Sequence, residues 1–94
     1  MTAEPSSIPA QVAVIGAGAI GGGWAALCIS AGWPVSIFDT NARAVDDAVE
    51  GIPRRARALI ALGRATAGIV ERGLLEFQQA KSLLQAVRGA DWVI

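Results

Sequence analysis

Four apolar residues, Val12-Ala13-Val14-Ile15, run directly into a bend whose glycines are spaced Gly16-x-Gly18-x-x-Gly21. That spacing admits few folds. A strand feeding three such glycines must turn sharply, because glycine alone adopts left-handed backbone angles without steric cost. A segment compatible with helix continues to about Ser30, and Ala31-Gly32 then punctuates the chain. Val35 to Phe38 is rich in strand formers and ends on an acid, Asp39, 18 residues after Gly21. The order is therefore strand, glycine bend, helix, strand, carboxylate.

Each part of this order has a mechanical use in holding a dinucleotide. Gly16 turns the backbone out of the strand. Gly18, lacking a side chain, lets a pyrophosphate approach the main chain, and Gly21 lets the helix lie close on the sheet. The helix aims its free amides and positive dipole end at the phosphates. Asp39 stands where an acid accepts from a ribose 2′-hydroxyl. The residues read as a dinucleotide-binding βαβ unit; the alternative is a tight glycine turn in some other fold.

Residues 12–29 are all apolar or glycine, with Gly18 and Gly22 in the spacing of membrane helix contacts, so the run resembles a membrane span. Five glycines, three of them consecutive, argue against one. A strand buried on both faces, followed by a helix pressed on the sheet, gives the same hydropathy. Within the helix, Ile20, Trp24, Leu27 and Cys28 recur at three- and four-residue spacing and are expected to face the sheet. Trp24 is read as a packing or domain-contact residue rather than a cofactor stacker. Gly22 and Gly23 are poor helix formers and signal close approach by another backbone, the cofactor or a later part of the chain.

Ninety-four residues allow one small domain. Net charge is zero with 17% charged residues and no basic stripe, which excludes nucleic acid as an expected partner. A single cysteine, Cys28, excludes an internal disulfide and fits a reducing, cytoplasmic compartment; it reads as a small buried hydrophobe. No metal site is expected. The chain has no histidine and no tyrosine, so it lacks the usual proton acceptors of a dehydrogenase. No catalytic residue is expected in it.

Residues 1–10, with Pro5 and Pro9, read as a flexible polar tail rather than an export signal. Asp39-Thr40-Asn41 ends the second strand and caps a helix with Ala44, Val45, Ala48 and Val49 on one face. Pro53 is expected to kink or restart that helix. Arg54, Arg55 and Arg57 form a small basic cluster, either a solvated helix face or a contact for an anionic substrate such as a coenzyme A phosphate. Gly63 ends the segment. A short helix is expected from Thr66 to Arg72, stopped by Gly73; Leu74–Ala80 could continue a helix, but in a βαβαβ order it is read as a short strand with Leu75, Phe77 and Gln79 on one side. Ser82 caps a brief helix to Val87, and Trp92-Val93-Ile94 forms a fourth strand.

The block VAVIGAGAIGGGWAALCISAGWPVSIFD, followed by IVERGLL and SLLQAVRGADWVI, resembles the NAD-binding N-terminal domain of 3-hydroxyacyl-CoA dehydrogenases. It is most similar to the branch with Gly-Trp-Ala after the glycine motif, which includes gulonate dehydrogenase (lambda-crystallin) and carnitine dehydrogenase types. The similarity spans residues 11–94 and is looser from Gly51 to Ala80. It implies an α/β, Rossmann-type parallel sheet, incomplete, in strand order 3-2-1-4. It implies that Gly16, Ala17, Gly18, Ala19, Ile20 and Gly21 line the pyrophosphate, and that Asp39, beside Thr40, holds the adenosine ribose. An acid there favours NAD over NADP. The parent would be a cytoplasmic, homodimeric oxidoreductase acting on a 3-hydroxyacyl-CoA or related 3-hydroxy acid, as in fatty acid metabolism. The chain itself would be a C-terminally truncated portion that binds the ADP half, inactive and marginally stable alone. The rivals are an FAD-binding flavoprotein fragment and a non-catalytic nucleotide-binding module.

Overall fold

A computed structural model describes residues 11–94; the tail expected at residues 1–10 lies outside the described residues. Four parallel strands form one sheet in the order β3-β2-β1-β4, as the resemblance implies. The elements run β1 (Val12–Ile15), α1 (Ala19–Ser30), β2 (Val35–Phe38), α2 (Ala42–Ala61), α3 (Ala67–Glu76), β3 (Gln78–Gln79), α4 (Leu83–Val87) and β4 (Trp92–Val93). In β1, Val12, Ala13 and Val14 are all buried, and so are Val35, Ser36 and Ile37 of β2. Continuous burial, with no polar alternation, is what a central parallel strand requires. Val12 pairs with Val35 on one side and Trp92 on the other. The Gly16 amide donates to the Phe38 carbonyl at 2.7 Å, carrying the β1–β2 ladder into the bend.

The core lies between the sheet and α1, α2 and α3, with Ile29, Ile37, Ile52, Val12, Val14, Val35 and Val70 fully enclosed. Each such side chain contributes about 1.5–3 kcal/mol relative to exposure. Helix α1 corrects the expected face. Its buried residues are Gly22, Ala25, Ala26, Cys28 and Ile29, whereas Ile20 is 80%, Trp24 47% and Leu27 51% exposed. A helix apolar on every side has no polar stripe to orient it. Here α1 is wedged among β1, α2 and α3, and only its small-residue side fits so close. Of the four residues expected inward, only Cys28 is buried, and burial pushes its thiol pKa up.

Three later expectations are narrowed or changed. Helix α2 runs through Pro53 without restarting; the ring removes one helical donor, so the Val49 carbonyl loses its intrahelical partner. Ala48, Ile52 and Ala56 carry its buried stripe. Helix α3 continues past Gly73 to Glu76, because Gly73 is a contact rather than a stop. A Cβ on Gly73 would lie 2.8 Å from Cγ2 of Ile29 and 3.3 Å from its carbonyl oxygen. Strand β3 shrinks to Gln78–Gln79, with Leu75 still helical.

The punctuation otherwise follows the sequence. Gly63, at φ 73°, closes α2, with Gly63 N–H donating to Ile60 and Arg64 N–H to Leu59, a Schellman end. Ser82 caps α4 by accepting from the Gln85 amide at 3.0 Å. No helix among the described residues is long and apolar enough to cross a membrane.

Candidate functional site

The glycine bend joins β1 to α1 at the carboxyl edge of the sheet, beside the end of β2. Gly16 sits at φ 104°, a conformation open in practice to glycine. A Cβ on Gly21 would stand 1.7 Å from the Gly16 carbonyl oxygen, so the helix can start where it does only without a side chain there. A Cβ on Gly18 would meet nothing within 4 Å. The space over Gly18 is open, and it faces the start of a helix.

That start is a donor cradle. The first intrahelical bond of α1 runs from the Gly22 amide to the Gly18 carbonyl at 2.8 Å. The amides of Ala19, Ile20 and Gly21 therefore precede the helical ladder. No side chain caps them, and no acid occupies the first turn. Three unanswered amides and a positive dipole end suit an anion such as a diphosphate.

Asp39, at the end of β2, reaches the same bend. Its Oδ2 accepts from the Ala17 amide at 2.8 Å and its Oδ1 from the Asn41 amide at 2.8 Å. The Ala17 amide, then that of Asn41, with smaller help from Thr40, holds the Asp39 carboxyl below the ordinary aspartate pKa. The acid is thus ionised and fixed in orientation, and each oxygen keeps a lone pair for a hydroxyl donor. Thr40 is exposed beside it. Asn41 turns the chain into α2, its side chain accepting from the amides of Arg43 at 3.0 Å and Ala44 at 3.3 Å.

Two grooves meet at the bend. One, of about 520 Å³, is lined by Val14, Ile15, Gly16, Gly18, Ile20, Trp24 and Ile94. The other, of about 330 Å³, lies between the first turn of α1 and α2, with Gly18, Ala19, Asp47, Arg54 and Arg55 among its walls. Of the eight residues singled out from the sequence, Gly16 to Gly21 form the bend, Asp39 is bonded to it through Ala17, and Thr40 follows Asp39, exposed. The basic cluster separates. Arg57 closes on Glu71 of α3 through two bonds of 2.8 and 2.7 Å, which lowers the Glu71 pKa. Arg54 stays exposed, and Arg55 donates to the Ala19 carbonyl at 2.8 Å. The tie from Asp39 to Ala17 and the reach of Arg55 were not readable in advance. The glycine at 22 was the one signal of the latter.

A parallel sheet with a glycine bend, an uncapped helix start and an oriented carboxylate on the neighbouring strand defines a dinucleotide-binding domain, and its open space, donors and acceptor fit NAD. Residues 11–94 match the family model described as "3-hydroxyacyl-CoA dehydrogenase, NAD binding domain", and the chain belongs to that family. It is 36% identical over 91 residues to a lambda-crystallin homolog of Bos taurus, covering 96% of this chain and 28% of that protein. It is 34% identical over 90 residues to L-carnitine dehydrogenase of Mesorhizobium japonicum, covering 93% and 23% respectively. The crystal structure of 3-hydroxybutyryl-CoA dehydrogenase from Escherichia coli K12 superposes with a TM-score of 0.74 at 33% identity, covering 93% of this chain and 18% of that one. The chain thus spans about a quarter of the length of these two curated relatives.

Proposed function

We propose that the protein supplies the cofactor-holding part of an NAD-dependent oxidoreductase that oxidises the secondary alcohol of a 3-hydroxyacyl-CoA or related 3-hydroxy acid. The observation that carries this is the joint geometry of the bend and Asp39. The first turn of α1 has no side-chain cap and no acid, while the Asp39 carboxylate, fixed by Ala17 and Asn41, ends the neighbouring strand. Asp39 would accept from the adenosine ribose, and its charge would repel a 2′-phosphate, favouring NAD over NADP. Gly18 would carry the diphosphate, and the apolar groove beside Trp24 would receive the half of the cofactor that leaves the bend. Held by the bend and Asp39, NAD would supply the acceptor for the hydride of the carbinol carbon.

The hydroxyl proton must go to a base. None of the 94 residues is a histidine or tyrosine, and they span about a quarter of the relatives' length, so that base and the substrate pocket are assigned to sequence outside them. The chain then contributes binding and orientation and no proton transfer. The relatives' names suggest acyl-CoA thioesters and carnitine as the substrates to try first.

Titration of NAD into the protein, beside a Gly18→Val variant, tests the binding part. The valine side chain would fill the open space over the bend. Binding should be lost in a variant that keeps its circular dichroism; retained binding would move the cofactor away from this bend. NADH formation from 3-hydroxybutyryl-CoA or L-carnitine by the full-length protein tests the reaction, and turnover by the 94 residues alone would refute the assignment of the base.

A further inference from the structure

Gly22 and Gly23 sit side by side in the first turns of α1, where alanine would hold a helix better. What fills the missing volume is a guanidinium. A Cβ on Gly22 would stand 2.9 Å from Nη1 of Arg55, and one on Gly23 would stand 3.7 Å from it. The same nitrogen donates to the Ala19 carbonyl at 2.8 Å, across 36 positions of sequence. Arg57, two residues on, spends its charge on Glu71. Neither Arg54 nor Arg55 forms an ion pair among the described residues.

A cation fixed beside the positive end of a helix dipole is unfavourable by itself, since like signs meet. It becomes favourable when an anion occupies that end. Arg55 and Gly18 line one groove, so the guanidinium and the open face of the cradle share the same space. Among the walls of that groove Arg54 and Arg55 outnumber the one acid, Asp47, and the Asp39 carboxylate lies against Ala17, another of its walls.

We propose that Arg55 is a positioning residue for the dinucleotide's diphosphate. Held by the Ala19 carbonyl against side-chain-free Gly22, it places a fixed positive charge beside the three amides of the bend. This role explains the glycine at 22, where the helix would otherwise prefer alanine; a Cβ at 23 would make only ordinary contact with the guanidinium. It rests on the reading of the bend as the cofactor site.

The test compares the full-length protein with Arg55→Met, Arg55→Lys and Gly22→Ala, using NAD, ADP and adenosine as probes at several salt concentrations. Arg55→Met should weaken NAD and ADP about three- to tenfold at low salt, as expected of a solvent-screened charge. The difference should shrink as salt rises. Adenosine, which has no phosphate, should bind the variant as it binds the parent. Arg55→Lys should restore most of the affinity, and Gly22→Ala, which displaces the guanidinium, should reproduce the loss. Unchanged NAD and ADP affinity in Arg55→Met would overturn the proposal, as would an equal loss for adenosine, which marks a purely structural role. If the unmodified protein fails to bind ADP, the cofactor reading falls with it; if it binds ADP and the variant matches it, this proposal alone falls.

Discussion

The Asp39 carboxylate has two oxygens and two amide donors, one from the bend and one from the start of α2. Its pKa is lowered in the folded protein, so its contribution is fully present above the ordinary aspartate value and is lost as pH falls through the lower, folded one. Affinity for NAD should therefore stay level from neutrality down to the ordinary aspartate range and fall only below it. Asp39→Asn should weaken NAD about tenfold or more while shedding that acid limb, both visible by titration calorimetry across pH. A limb that persists in the variant would belong to another group. The residue types at this site were legible because each answers a local demand. The left-handed turn at 16 needs glycine, and a Cβ at 21 would fall 1.7 Å from the Gly16 carbonyl oxygen. The bond between Asp39 and Ala17 was not legible, since the curvature of the bend, rather than any spacing, brings a residue 22 positions away within 2.8 Å.

The elements divide into those whose ends are written locally and those set by neighbours. Asn41, Gly63 and Ser82 mark helix ends by chemistry that acts within a few residues, and all three could be read directly. The inward face of α1 could not, because an all-apolar helix gives no direction and the choice fell to the fit of small residues. Gly73 shows the same limit. Glycine at the end of a periodic run suggests a stop, yet here it lets α3 approach Ile29 of α1. Alanine at 73 improves intrinsic helix propensity, but its Cβ would press on a buried, branched side chain and a carbonyl that cannot move cheaply. Gly73→Ala should destabilise the fold by about 1–3 kcal/mol, the range for overpacked contacts, measurable by denaturant unfolding. A rise in stability would return Gly73 to the role of a simple helix breaker.

Across the molecule the sheet is well covered at its centre and bare at the β4 side. Val12, Ala13 and Val14 are sealed, whereas Trp92 and Val93 are 52% and 58% exposed, and the outer edge of β4 pairs with no strand among the described residues. Leu83 and Leu84 add exposed apolar surface nearby in sequence. Such an edge is a template for further pairing. The isolated 94-residue chain should self-associate with rising concentration, and Val93→Lys should suppress this in sedimentation while leaving the NAD titration intact. Equal association in both forms would place the contact elsewhere. The strand order followed from the family resemblance and is the one observed, but the extent of β3 was not legible, since two exposed glutamines carry no pattern of burial. Trp33, just ahead of β2, meets Trp92 of β4 edge-on, with ring centres 4.9 Å apart and planes at 82°. Two chromophores that close and that steeply inclined couple their excited states, so this chain carries an internal optical gauge whose circular dichroism couplet would vanish when β4 parts from the start of β2.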